Sequence, residues 1–230
     1  MITQFVMILT VYLLLWTGIN LWKKGRKLQN RFVRIFSIGL FFIAFAIFIY
    51  SVRDIFTQFG FYDIQERLLT IGGIVHIVGA YFLLLFVTKE FGPKYYKNIF
   101  YALFFLLLIS FALFISGKIF KIGSEIKQAP LEPVNYLVVR NYISDPNGIF
   151  ILYGIIILIS FLILGIILFN ILKTPEREIR MKGLLYGLGT WFLIAPMLIC
   201  ALLSPVFARI GYLVGAFLLY KTFNIKIKET

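Results

Sequence analysis

The sequence predicts an all-α integral membrane protein: a single bundle of seven transmembrane helices, N-terminus outside and C-terminus cytoplasmic. Three observations predict it. Hydrophobic residues make up 61% of the 230-residue chain and charged residues only 14%, where soluble domains carry about 45–50% and about 25%. Apolar runs near the ~20 residues of one bilayer crossing recur seven times. Sixteen of the 23 Lys and Arg residues fall in alternate connections between those runs, and basic loops stay in the cytoplasm.

The first span covers about 4–22. No basic residue precedes it and Lys23, Lys24, Arg26 and Lys27 follow it, the reverse of a cleaved signal peptide. Its Tyr12, Trp16 and Asn20 are scattered polar groups of the kind that bond to a neighbouring helix. The second span, 33–52, is entered from the basic connection 23–34. An outer loop at 53–67 (RDIFTQFGFYDIQER) follows.

The third span, 68–88, holds the lone histidine of the chain, His76, among Gly72, Gly73, Gly79 and Ala80. Gly72, His76 and Ala80 recur at i, i+4 and i+8, so they share one helix face. Small residues at such spacing let backbones approach closely. Three readings of His76 stay open: a core imidazole bonded to a neighbouring hydroxyl or carbonyl, a ligand-pocket or protonation-switch group, or a metal or haem ligand. The last lacks a second ligand.

A basic connection, 89–97, leads to the fourth span, 98–117. The large outer loop 118–148 contains QAPLEPVNYLVVRNYISDPNG. Its Pro and Asn-Gly residues are turn chemistry, while NYLVVRNYI suits a short strand or an interfacial helix. The fifth span, 149–172, carries Tyr153. The basic connection 173–182 precedes the sixth span, 183–203, which opens on Gly183 and Gly187 and contains Trp191 and Pro196. A mid-helix Pro removes a backbone hydrogen bond and bends the helix, making Pro196 a candidate hinge. Ser204 and Pro205 alone separate this span from the seventh, 206–223, which indicates a tight hairpin. Arg209 lies near its outer start, either snorkelling to the interface or facing a polar pocket with Tyr153, Trp191 or an outer-loop acid. Gly211 and Gly215 mark a packing face that serves the bundle or a homodimer.

The four cytoplasmic segments hold four acids against their sixteen bases, a net +12, and the outer face is close to neutral at +1. Membrane orientation and attraction to anionic lipid headgroups account for that charge and leave no signal for nucleic-acid binding. The positive-inside pattern places the chain in a cell membrane as a multi-pass protein, with a prokaryotic plasma membrane expected.

Several chemistries are missing. No Asp, Glu or Lys occupies the central part of any span, where ion-coupled carriers need a titrating group. Cys200 is the single cysteine, so no internal disulfide or cysteine metal cluster forms. No phosphate loop, nucleophile elbow or kinase motif occurs. The expectation is a non-enzymatic protein without metal or cofactor. A lipid-modifying enzyme would have to use the loop carboxylates Asp54, Asp63, Glu66 and Asp145.

The segments KKGRKLQNRFVRIFSIGLFFIAFAIFIY, RLLTIGGIVHIVGAYFLLLFVTKEF, KTPEREIRMKGLLYGLGTWFLIAPML and IGYLVGAFLLYKTFNIKIKE together resemble the seven-helix N-terminal sensor region of prokaryotic histidine kinases and related signalling proteins. The resemblance implies a sensor or receptor whose output domain would follow residue 230. It carries over no catalytic residue, so the expected role is sensing through a cytoplasmic or membrane partner. A transport component or subunit of a larger membrane complex is the alternative. The candidate pocket residues are His76, Tyr153, Trp191 and Arg209.

Overall fold

The structure, a computed structural model, describes residues 2–59, 61–91, 93–115, 122–128, 137–143, 165, 168–173, 175–195 and 205–224. Its helices include α1 (Ile2–Lys27), α2 (Arg31–Gln58), α3 (Tyr62–Phe91), α4 (Tyr96–Ile115), α5 (Arg177–Ile194) and α6 (Pro205–Asn224). A short 3-10 turn, Pro93–Tyr95, leads into α4. Among the described residues, three helical segments are long and apolar enough to cross a membrane: Gln4–Lys27, Arg31–Phe56 and Ile71–Glu90. The candidate hinge Pro196 and the pocket candidate Tyr153 lie outside the described residues.

Two expectations change. The 53–67 loop is mostly helix: α2 continues to Gln58 and α3 starts at Tyr62. Neither DIFTQ nor YDIQER contains Pro or Gly, so nothing in these stretches stops a helix when it leaves the apolar layer. The 118–148 loop carries an antiparallel hairpin, which makes the chain helical in its described apolar segments but not all-α throughout. Strand β1 (Ile122–Gln128) pairs with β2 (Leu137–Ile143), from Ile122 opposite Ile143 to Gln128 opposite Leu137. Residues 137–143 of the NYLVVRNYI stretch thus take the strand alternative, as their β-branched and aromatic residues favour.

The turn between α1 and α2 shows how local chemistry sets helix ends. Gln29 takes a left-handed backbone at φ 50°. The Asn30 carboxamide oxygen then accepts from the backbone N–H of Phe32 at 2.9 Å and of Val33 at 3.2 Å, capping α2. Ser37 donates to the Gly18 carbonyl at 2.6 Å and ties the two helices together further along.

Glycine governs the approach of α2 to α3. A Cβ at Gly39 would sit 3.1 Å from the Gly79 carbonyl, and one at Gly79 would sit 2.8 Å from Ile43 Cδ1 and 3.0 Å from its backbone N. Gly72 packs on Tyr50 in the same register. The second glycine seam joins α5 to α6, where a Cβ at Gly215 would lie 2.9 Å from the Gly189 carbonyl. The Gly215 face is therefore used within the chain. Gly183 packs on Ile171, and Gly187 and Gly211 are buried.

Helix directions follow from an aromatic cluster at one end. Phe36, early in α2, meets Phe86, late in α3, at 4.6 Å between ring centroids. Tyr186, midway along α5, lies 5.7 Å from Phe36 and 5.8 Å from Phe86. Phe223, at the end of α6, closes the group 5.0 Å from Tyr186 and 6.2 Å from Phe36. So α2 and α5 run one way, α3 and α6 the other. Lys89 Nζ sits over the rings of Phe32 and Tyr96 at 5.5 and 5.4 Å, and Tyr81 meets Phe100 at 6.3 Å. Helix α4 therefore starts at this same end and runs antiparallel to α3.

Gly79→Leu is expected to lower stability by about 1–3 kcal/mol through overpacking against Ile43, read as a lower melting temperature in detergent. Gly165→Ala, at a helical position with nothing among the described residues within 4 Å of its Cβ, is the control and should be neutral or slightly stabilising.

Candidate functional site

The end of the bundle opposite the aromatic cluster gathers polar side chains from α2, α3 and α6. Helix α2 continues past the apolar segment far enough to place Arg53 and Asp54 one turn beyond Tyr50. Helix α6 starts at Pro205, which pre-sets helical φ and lacks the N–H that a first turn cannot use. Arg209 is thereby brought to α2, where its guanidinium donates to Asp54 Oδ2. Arg53 bonds the other carboxylate oxygen, Oδ1, through Nε at 3.1 Å and also through Nη2. The Arg53 guanidinium carbon lies 6.0 Å from the Tyr50 ring centroid.

These charges are largely withdrawn from the surface. The Arg209 side chain is 16% exposed and that of Asp54 13%. Arg209 is thus held inside the bundle by an acid at the end of α2 rather than reaching outward from the rim. In an apolar surrounding each partner depends on the other, because a lone buried charge costs far more than a paired one.

One turn further along α6, Tyr212 meets His76 of α3. The phenol oxygen lies 3.4 Å from His76 Nδ1, a long contact, and the ring centroids are 5.7 Å apart. Tyr50 flanks the imidazole at 6.3 Å. His76 is 2% exposed. Its Nε2 has no hydrogen-bond partner among the described residues, and the backbone of Leu193 in α5 approaches the ring. Arg209 and Tyr212 stand at i and i+3, so one face of α6 presents both to the α2–α3 pair.

Trp191 lies on α5, its ring 5.1 Å from that of Phe192. The described part of the site thus unites His76 and Arg209 through one face of α6. Sequence reasoning did not single out Tyr50 and Tyr212. Their signal was present: Tyr212 lies three residues after Arg209, and Tyr50 lies one turn before Asp54. Of the four carboxylates considered for enzyme chemistry, Asp54 is engaged by two arginines. The side chains of Asp63 and Glu66, and all of Asp145, are outside those described. Among the described residues no group of three or more His, Cys, Asp and Glu could hold a metal ion.

Comparison with protein-family models, with curated proteins and with solved structures finds no match for this chain.

Asp54→Asn and Arg209→Met should each destabilise the fold by about 1–3 kcal/mol, the cost of stranding a buried charged partner. The double variant should recover part of that loss, and a double-mutant cycle on thermal or denaturant unfolding reads the coupling. Tyr212→Phe, which removes the long contact to His76, should cost about 1 kcal/mol.

Proposed function

We propose that the chain is a non-enzymatic seven-helix sensor or receptor in a prokaryotic plasma membrane. Its basic end faces the cytoplasm, and it acts there through a protein partner. The observation that carries the reading is the ion pair between Asp54 and Arg209, which ties the N-terminal part of α6 to the end of α2. Apolar helix contacts in a bilayer respond weakly to solutes. A charge pair at a helix end responds strongly to anything that competes for either charge. The same helix ends in the aromatic cluster at Phe223, so its two ends are held by chemically different contacts. Release of the outer contact would let α6 shift against α5 along the Gly189–Gly215 seam.

The seven-span topology is also part of this proposal. Helix α4 runs away from the aromatic end, whereas Ile171 is again at that end, packed on Gly183 near the start of α5. That placement of Ile171 supports the expected fifth span, 149–172. Lys24, Lys89, Lys182 and Lys221 fall at the ends of helices on the aromatic side, which supports an inside assignment for that end.

Single cysteines in a Cys200→Ser background test the topology. Cysteines replacing Lys27 and Lys221 should react with an impermeant maleimide only after the cytoplasmic side is opened, and one replacing Phe59 should react in intact cells. Spin labels at Arg31 and Lys221 test the sensor mechanism. Their distance distribution should change between the wild type and Asp54→Asn in lipid nanodiscs. An unchanged distribution would remove the link between the outer pair and the inner end of α6.

A further inference from the structure

The basic end of the bundle contains a second arrangement, separate from the Asp54–Arg209 pair and independent of the sensor reading. The tight turn after α1 packs Arg34 of α2 onto Gly25: a Cβ at Gly25 would sit 2.8 Å from Arg34 Cγ. Arg34 is therefore laid along the last turn of α1 instead of extending into solvent. Its Nε is buried and has no acceptor among the described residues, and no described carboxylate forms a salt bridge with its guanidinium.

Lys24, next to Gly25 in sequence, acts electrostatically on Lys182 in the first turns of α5. The Lys182 ammonium is held below the ordinary lysine range, first by partial burial and then by the Lys24 charge. Glu178 opposes the shift without cancelling it. Three helices thus contribute one cation each to a rim where positive charge is in excess and one donor is unsatisfied. A buried donor without an acceptor is a liability unless something fills the gap.

We propose that this rim, formed by Lys24, Arg34 and Lys182, is a binding site for a phosphate group. Arginine's planar fork suits two phosphate oxygens, and lysines add charge from either side. A bound dianion or diester would satisfy Arg34 Nε and relieve the repulsion between the two lysines. The rim lies at the ends of apolar helices, where phospholipid headgroups sit. A lipid phosphate and a free inorganic phosphate would use the same contacts.

The test uses the full chain in detergent, with native mass spectrometry of retained lipid and thermal melts as parallel arms. The lipid probe is phosphatidylglycerol, with diacylglycerol as the control lacking phosphate. The free-anion probe is sodium phosphate against sodium chloride at equal ionic strength. The wild type should retain phosphatidylglycerol but not diacylglycerol, and Arg34→Gln or Lys182→Gln should each weaken retention about tenfold. A melt raised by inorganic phosphate in the wild type and not in the variants, without lipid retention, would assign the site to a free anion. Arg34→Lys, which keeps the charge and loses the fork, should fall between wild type and Gln, and Lys182→Gln should melt near the wild type when no phosphate is present. Equal retention and equal phosphate response in the wild type and in a Lys24→Gln, Arg34→Gln, Lys182→Gln triple variant would overturn the proposal.

Discussion

The bundle depends on how closely α2 and α3 can approach. In a bilayer, lipid tails are as apolar as leucine, so helices gain little from hiding apolar side chains from one another. Association rests on packing contacts and on the few polar bonds that cross between helices. At Gly39 and Gly79 the two backbones nearly touch, with no room for a Cβ on either. That approach sets the register in which Tyr50 lies against Gly72 and Phe36 against Phe86. The polar cluster at one end and the aromatic cluster at the other are both anchored to this one pair. The α5–α6 seam at Gly189 and Gly215 repeats the device, and the two helix pairs meet through His76, Tyr212, Leu193 and the aromatic rings.

The two ends use different physics. The aromatic end is held by ring contacts that are individually weak, additive and insensitive to ionic conditions. The polar end is held by a charge pair with low exposure, strong but dependent on both members. A structure fastened in this way has a firm end and a conditional end. Helix α6 belongs to both, through Phe223 and Arg209 respectively.

Much of this was legible in the sequence because membrane helices obey a one-dimensional constraint. Length and apolarity mark a crossing, and the three spans that stand out in the structure coincide with the first three apolar runs. Small residues mark close approach, and Gly72, Gly79, Gly183 and Gly215 all lie at contacts that a Cβ would obstruct. Helix ends outside the apolar layer were less legible, since DIFTQ and YDIQER carry no strong stop or start signal and hydropathy says nothing of them. The partner of Arg209 was also hidden. Asp54 lies 155 residues away in sequence, and a single chain offers no local pattern that joins an acid at the end of one helix to a base at the start of another. Gly189 was missed for a related reason: it has no small partner four residues away, and only the facing Gly215 gives it meaning.

The aromatic cluster has a consequence for how the chain is assembled. Phe36 is made well before Phe223, which covers one side of it. At a synthesis rate of about 5–20 residues per second, about 10–40 s separate their emergence. During that interval the α1–α2–α3 unit can already be packed through its glycines and the Ser37–Gly18 bond. Its aromatic end stays open to lipid and to other proteins until α5 and α6 arrive. The α1–α2–α3 unit is therefore made with an unfinished face, and α6, the later of the two helices that cover it, is the one that finishes it.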